Sequence, residues 1–324
     1  MRKVDTKQVI IALLKCISDI YVLSYLLLFI TAVVILNMVF QQKPGDILIP
    51  VSLFGILLPI ASWLLFRKNI PAFSDRPAVK NETITIVVLI LWITWYITYG
   101  TTFINQLVPV KILQIPWQRD LFILLKKLMV FFILPFLLYR MFGFSLKDFG
   151  FITTRRSLFN KLTAISFLVL AALIIVSQLL AGRGADLITK GGISIVQLIT
   201  GLILCFAWNF LEAGLVEEFF FRALLQSRIS VLTKSAKSGI ILSGIIFGLS
   251  HAPGLYLRGA ESEGIQEQLP FIFWAAYTIT FMSVAGIFLG IIWDKTKNIW
   301  IIMAFHSLID TIPNLKEFMQ TWHI

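Results

Sequence analysis

The stretch Val216-Glu217-Glu218-Phe219-Phe220-Phe221-Arg222 sets two adjacent carboxylates and a guanidinium at the end of an apolar run that begins near Ile193. A charge in hydrocarbon costs roughly 2.5–3.5 kcal/mol on insertion scales, and two neighbouring acids also repel each other. Such a pair needs a group that neutralises it or a reaction that uses it. On a helix, Glu218 and Arg222 share a face, so Arg222 can neutralise Glu218. Glu217 is rotated away by about 100° and is left to face something else. The chain has three histidines. His323 is next to last and is expected to fray. His251 and His306 both fall inside apolar segments, and Glu217 is read as facing them. Asp310 lies four residues after His306, where a carboxylate can orient the imidazole and fix its tautomer. Phe247, four residues before His251, can wall the site or simply pack.

These residue types support two kinds of chemistry. In one, Glu217 acts as a general base on water held against His251 and His306, and the hydroxide attacks an amide. A polar or cationic neighbour then stabilises the oxyanion. In the other, two imidazoles and a carboxylate hold a divalent metal such as zinc with one open position. No His-Glu-x-x-His is present, so the ligands His251, His306 and Glu217 would come from separate helices. The residues leave both routes open. No serine or cysteine sits in a recognisable nucleophile setting. The bland alternatives are a core histidine bonded to a carbonyl and a simple polar pair, His306 and Asp310, near a membrane edge. Two apolar-segment histidines together with a Glu-Glu pair weigh against them, since intramembrane ionisable groups are functional candidates by default.

The elements that carry these residues are membrane helices. The chain is 58% hydrophobic and only 14% charged, against about 25% charged in a soluble domain. The expected fold is all-α, a polytopic transmembrane bundle of about eight to nine spans. The nine candidates are Tyr21–Phe40 (with an amphipathic lead-in from Gln8), Ile47–Phe66, Ile84–Ile104, Leu121–Phe142, Leu162–Ala181, Ile193–Val216, Gly239–Tyr256, Pro270–Trp293 and Ile299–Ile312. The first is read as a retained helix rather than a signal peptide, because Lys15 and Asp19 interrupt it and no cleavage motif follows. Lys126 and Lys127 are read as snorkelling or near one end of the fourth span. Ser227–Ser238 is read as a loop, and Pro253 is expected to kink or end the seventh helix. For Glu217 and His251 to lie at one depth, the sixth helix must extend beyond Val216.

The net charge of +11 does not point to nucleic acid, because the basic residues bunch in short gaps between apolar runs. Arg67, Lys68, Arg76 and Lys80 fill one such gap, and Arg228, Lys234 and Lys237 another. The bias places the N-terminus in the cytoplasm and the C-terminus outside. Cys16 and Cys205 lie far apart, so no disulfide framework is implied. Neither an internal repeat nor a low-complexity tract is present.

Glu-Glu-x-x-x-Arg, then Phe-x-x-x-His, then His-x-x-x-Asp, in order on successive late spans, resembles the CPBP group. These are the CAAX-protease and bacteriocin-processing (Abi) intramembrane endopeptidases, which include the eukaryotic prenyl-protein CAAX endopeptidases. The matching residues are Glu217, Glu218 and Arg222; Phe247 and His251; His306 and Asp310. The segment Ser145-Leu146-Lys147-Asp148-Phe149-Gly150 is similar to one common in bacterial members. The resemblance covers about residues 120–316, so residues 1–119, with about three spans, read as an N-terminal extension of a protease domain at 120–324.

The resemblance implies a membrane endopeptidase, of metalloprotease type or working by a metal-independent glutamate. It implies that Glu217 activates water, that His251 and His306 position water or stabilise the oxyanion, and that Glu218 with Arg222 is structural or orienting. Asp310 stands where the eukaryotic prenyl-protein enzymes are usually described with asparagine, which bears on prenyl specificity more than on catalysis. The implied partners are a peptide or protein substrate in the membrane and the lipid bilayer, in a bacterial plasma membrane. Two other classes fit less well. A non-catalytic immunity or partner-binding protein on the same scaffold would not require Glu217, His251 and His306. A proton-coupled transporter would require a polar path through the early spans, which offer little beyond Asn37 and Asn105.

Overall fold

The structure is a computed structural model, and it describes residues 19–66, 76–152, 161–181, 193–258 and 269–324. The lead-in from Gln8, Cys16, much of the linker after Phe66, the glycine-rich turn after Ala181 and the acidic loop before Leu269 lie outside the described residues. Among the described residues the elements are helical, with no strand. The long helices are α1 (Ile20–Val39), α2 (Pro44–Leu65), α3 (Glu82–Gln106), α4 (Pro116–Met141), α5 (Lys161–Ala181), α6 (Ile195–Thr233), α7 (Ala236–Arg258), α8 (Phe271–Thr296) and α9 (Ile299–Trp322). Seven of them, α1–α4 and α6–α8, are long and apolar enough to cross a membrane. α5 carries a shorter apolar stretch, Thr163–Leu179.

Several boundaries differ from those expected. The sixth helix does not stop at Val216 but runs for 39 residues, on the order of 55–60 Å at 1.5 Å per residue. It therefore absorbs most of the expected loop at Ser227–Ser238, leaving a tight reversal where Lys234 adopts φ 53°. α7 continues through Pro253 to Arg258, because neighbouring turns carry the helix past the missing N–H. α9 likewise passes Pro313 and ends at Trp322. His323 closes it in a left-handed conformation, its N–H donating to the Met319 carbonyl, so this residue caps a helix instead of fraying.

Aromatic packing and close glycine approaches set the relative positions of the helices. The three phenylalanines after the glutamate pair each have their own partner. Phe219 packs on Phe132 of α4 at 4.6 Å and on Phe149 at 5.1 Å. Phe220 meets Phe131 at 5.6 Å, and Phe221 meets Phe247 of α7 at 5.2 Å. The rotation of α6 about its axis is thereby fixed, and with it the directions of Glu217 and Glu218. α7 and α8 cross through paired glycines spaced four apart, Gly244/Gly248 and Gly286/Gly290. A Cβ on Gly248 would stand 2.8 Å from the Thr278 carbonyl, and one on Gly286 would stand 3.2 Å from the Gly244 Cα. Small residues at this spacing let helix backbones touch.

The Ser145–Gly150 segment is a short 3-10 turn closed by a capping box between Ser145 and Asp148. Gly150 has φ +78°, and a Cβ there would lie 2.6 Å from the Lys297 carbonyl. Only glycine fits both the conformation and the contact. The segment thus plugs the turn between α8 and α9.

The first three helices pack against the later ones. Tyr25 of α1 hydrogen-bonds Ser283 of α8 at 2.9 Å. Glu82, at the start of α3, pairs with Arg228 of α6, and both are buried. Arg228 also donates to the Arg76 and Pro77 carbonyls at 3.1 and 3.2 Å, and Tyr139 of α4 donates to Glu82 at 3.4 Å. Arg228, expected in a basic loop, is therefore a buried interhelical clamp. Removing one partner of such a pair leaves an uncompensated charge and costs roughly 3–5 kcal/mol. Glu82→Gln is expected to lower the thermal unfolding midpoint of the purified chain in detergent. Glu82→Gln with Arg228→Met is expected to lower it less. An unchanged midpoint for Glu82→Gln would count against the clamp.

Candidate active site

α6, α7, α9 and α4 bring the singled-out residues together. The centre is the Glu218 carboxylate, which is fully buried. Its Oε1 accepts from Arg222 Nη1 at 2.7 Å and from His306 Nδ1 at 2.5 Å. Arg222 is also fully buried and lies 4.0 Å from the centroid of the Phe247 ring. The phenylalanine thus covers the guanidinium face as well as walling the histidines, whose rings lie 4.8 Å (His251) and 5.9 Å (His306) from it.

Glu217 points the other way, as the helical rotation requires. Its Oε2 has no hydrogen-bond partner among the described residues. That oxygen lies 3.8 Å from His251 Nε2 and 3.9 Å from His306 Nε2. The His251 Nδ1 sits 2.8 Å from the Phe247 carbonyl. A carbonyl only accepts, so Nδ1 carries the proton, and a neutral ring then directs its Nε2 lone pair toward Glu217. On His306, the Nδ1–H donates to Glu218 Oε1. Asp310 Oδ2 stands 3.4 Å from Nε2. Asp310 was expected to orient the ring. The tighter contact, on Nδ1, comes instead from Glu218, so the carboxylate read as Arg222's partner serves both.

Sequence reasoning missed two further residues. Lys127 of α4 reaches into the site, with Nζ 3.1 Å from Glu217 Oε1 and 2.6 Å from Glu212 Oε1. It does not snorkel. Lys126 turns instead to Asn105, donating at 2.7 Å. The signal for Glu212 was a lone charge inside an apolar segment, and for Lys127 a charge beside Lys126 within the fourth span. Asn37 donates to the nearby Gln42 carbonyl at 3.1 Å, so the two early-span asparagines make contacts away from Glu217.

The donor set of Glu217, His251 and His306 is chemically suited to zinc, whose ligand bonds run about 2.0–2.2 Å. Its spacing is not. Among the described residues no three His, Cys, Asp or Glu groups are placed to hold a metal ion. The Glu217 oxygen stands 3.8–3.9 Å from the ring nitrogens, and a lysine ammonium holds its other oxygen. These gaps are of a size for a hydrogen-bonded water.

Residues 199–312 match the family described as Type II CAAX prenyl endopeptidase Rce1-like. The match spans α6 to α9 and holds Glu217, Glu218, Arg222, Phe247, His251, His306 and Asp310. It begins later than the residue 120 read from the motifs, so α4 and Lys127 lie outside it. Together with the apolar helices, it supports a multi-pass membrane protein that acts as a protease. Among curated proteins and among solved structures no match is found.

The two glutamates differ in what their loss exposes. Glu218→Gln leaves Arg222 buried without its counter-charge and is expected to cost roughly 3–5 kcal/mol. Glu217 lies at the accessible side of the cluster, where its partner Lys127 also contacts Glu212. Glu217→Gln is therefore expected to lower the unfolding midpoint clearly less than Glu218→Gln. Equal midpoints for the two variants would contradict the division of roles.

Proposed function

We propose that this protein is an intramembrane endopeptidase in which Glu217 activates a water held beside His251 and His306. The observation that carries the reading is the unpartnered Glu217 Oε2, directed at both Nε2 atoms inside a largely water-excluded cluster. A carboxylate so placed takes a proton from water, and the hydroxide adds to a peptide carbonyl. His306 or the adjacent Lys127 ammonium stabilises the oxyanion that forms, while the His251 Nε2 lone pair accepts from the water. Glu217 then returns the proton to the leaving amine, and the products are a carboxylate and an amine. Glu218 holds the His306 ring and balances Arg222. No step is routed through a metal, because the Lys127 ammonium already holds the other Glu217 oxygen. The substrate is a peptide or protein segment at the membrane. The lysine and arginine bias supports an N-terminus in the cytoplasm, and the likeness of the Ser145–Gly150 segment to bacterial members supports a bacterial plasma membrane.

Terminus-selective mass spectrometry of membrane peptides tests this without a known substrate. Cells expressing the wild type are expected to show new peptide termini that are absent with Glu217→Ala at equal protein level. Identical termini would overturn the protease reading and favour a partner-binding role. In isolated membranes a chelator is expected to leave the cleavage intact. Loss on chelation, restored by zinc, would overturn the metal-independent route.

A further inference from the structure

We propose that Lys127, held by Glu212, is a positioning residue for Glu217. It engages one carboxylate oxygen so that the other is the one presented to the two imidazoles. The inference rests on the reading of Glu217 as the general base.

The geometry divides the Glu217 carboxylate. Oε1 accepts from Lys127 Nζ at 3.1 Å, and Oε2 has no hydrogen-bond partner. The two oxygens are chemically equivalent until something binds one of them. A carboxylate free to turn would place either oxygen, or neither, toward His251 and His306. An ammonium tied to a single oxygen removes that freedom. The tie is itself fixed, because Glu212 Oε1 holds the same nitrogen at 2.6 Å.

The helix makes this three-way contact possible. In a regular α-helix, residues five apart such as Glu212 and Glu217 point about 140° apart. α6 widens into π-type turns over Phe210–Leu215, where the i to i+5 pairing brings such residues toward one side. Both carboxylates can then meet one ammonium arriving from α4. Lys127 sits at the end of the regular part of α4, immediately before its own wider turns at Leu128–Ile133. It also lies outside the stretch matched to the endopeptidase family.

An ammonium serving only as a counter-ion would be replaceable by any change that keeps the cluster's net charge. The double variant Lys127→Met/Glu212→Gln makes that change, removing one cation and one anion. The assay uses the full chain in lipid nanodiscs with a peptide spanning the cleavage site identified from the wild-type termini. The double variant is expected to lose about ten- to a hundredfold in kcat while KM stays within about threefold, as for a misplaced reacting group. Lys127→Arg, which keeps charge and donors, is expected to recover most of that loss. Wild-type kcat in the double variant would overturn the proposal, as would failure of Lys127→Arg to exceed the double variant.

A second measurement separates this proposal from the protease reading. If wild type and Glu217→Ala give the same termini, the protease reading fails. The Lys127 contact is then read from thermal unfolding of Lys127→Met, Glu217→Gln and their combination. Non-additive midpoints would support the contact, and additive midpoints would overturn it.

Discussion

A carboxylate sealed from water needs compensating charge, and the Glu218 carboxylate is the point from which this site is built. One oxygen serves Arg222 and His306 together. Arg222 comes from the same helix and His306 from α9. The pair within α6 supplies charge balance, and the bond to α9 supplies geometry. Taking two ions out of water costs several kcal/mol apiece, and their attraction only roughly repays that. A buried pair of this kind is therefore better understood as fixing an arrangement than as adding stability. With Nδ1 held by Glu218, the remaining nitrogen of His306 is directed at the neighbouring acid.

The two adjacent glutamates consequently live in different environments despite sharing a backbone. Glu218 faces the sealed interior of the bundle. Glu217 faces a cluster whose rim is partly open, with the His251 side chain 30% exposed. Water can approach from that side, while Phe247 closes the other. Rotation along the helix converts one step in sequence into a step from structure to chemistry. Phe219, Phe220 and Phe221 hold that rotation, since each ring is locked against a different neighbour.

Close helix approach is the second requirement. Gly244, Gly248 and Gly286 let α7 and α8 touch, and α7 carries Phe247 and His251. Gly214 does the same for α6 and α9. A Cβ on Gly214 would stand 3.0 Å from the Met303 carbonyl, one turn before His306. Without that proximity, Glu218 could not reach the imidazole. The Glu82–Arg228 clamp and the Tyr25–Ser283 hydrogen bond tie the early helices to the same framework.

Spacing along the regular turns of one helix was legible in the sequence. The helical class followed from apolar runs, and the Glu218–Arg222 pair and the turn of Glu217 by about 100° from Glu218 followed from 3.6 residues per turn. Intramembrane placement marked His251 and His306 because charge and polarity are costly there. What the tertiary structure decided lies between helices. It gave His306 Nδ1 to Glu218 and left Asp310 the longer contact on Nε2. It turned Lys127 inward, joined it to Glu212 through widened turns, and buried Arg228 against Glu82. Covalent geometry fixes which side chains share a face of one helix. Only the packing of glycines and aromatic rings fixes which faces meet, and a single lysine reads the same on paper whether it ends at the membrane edge or on a carboxylate.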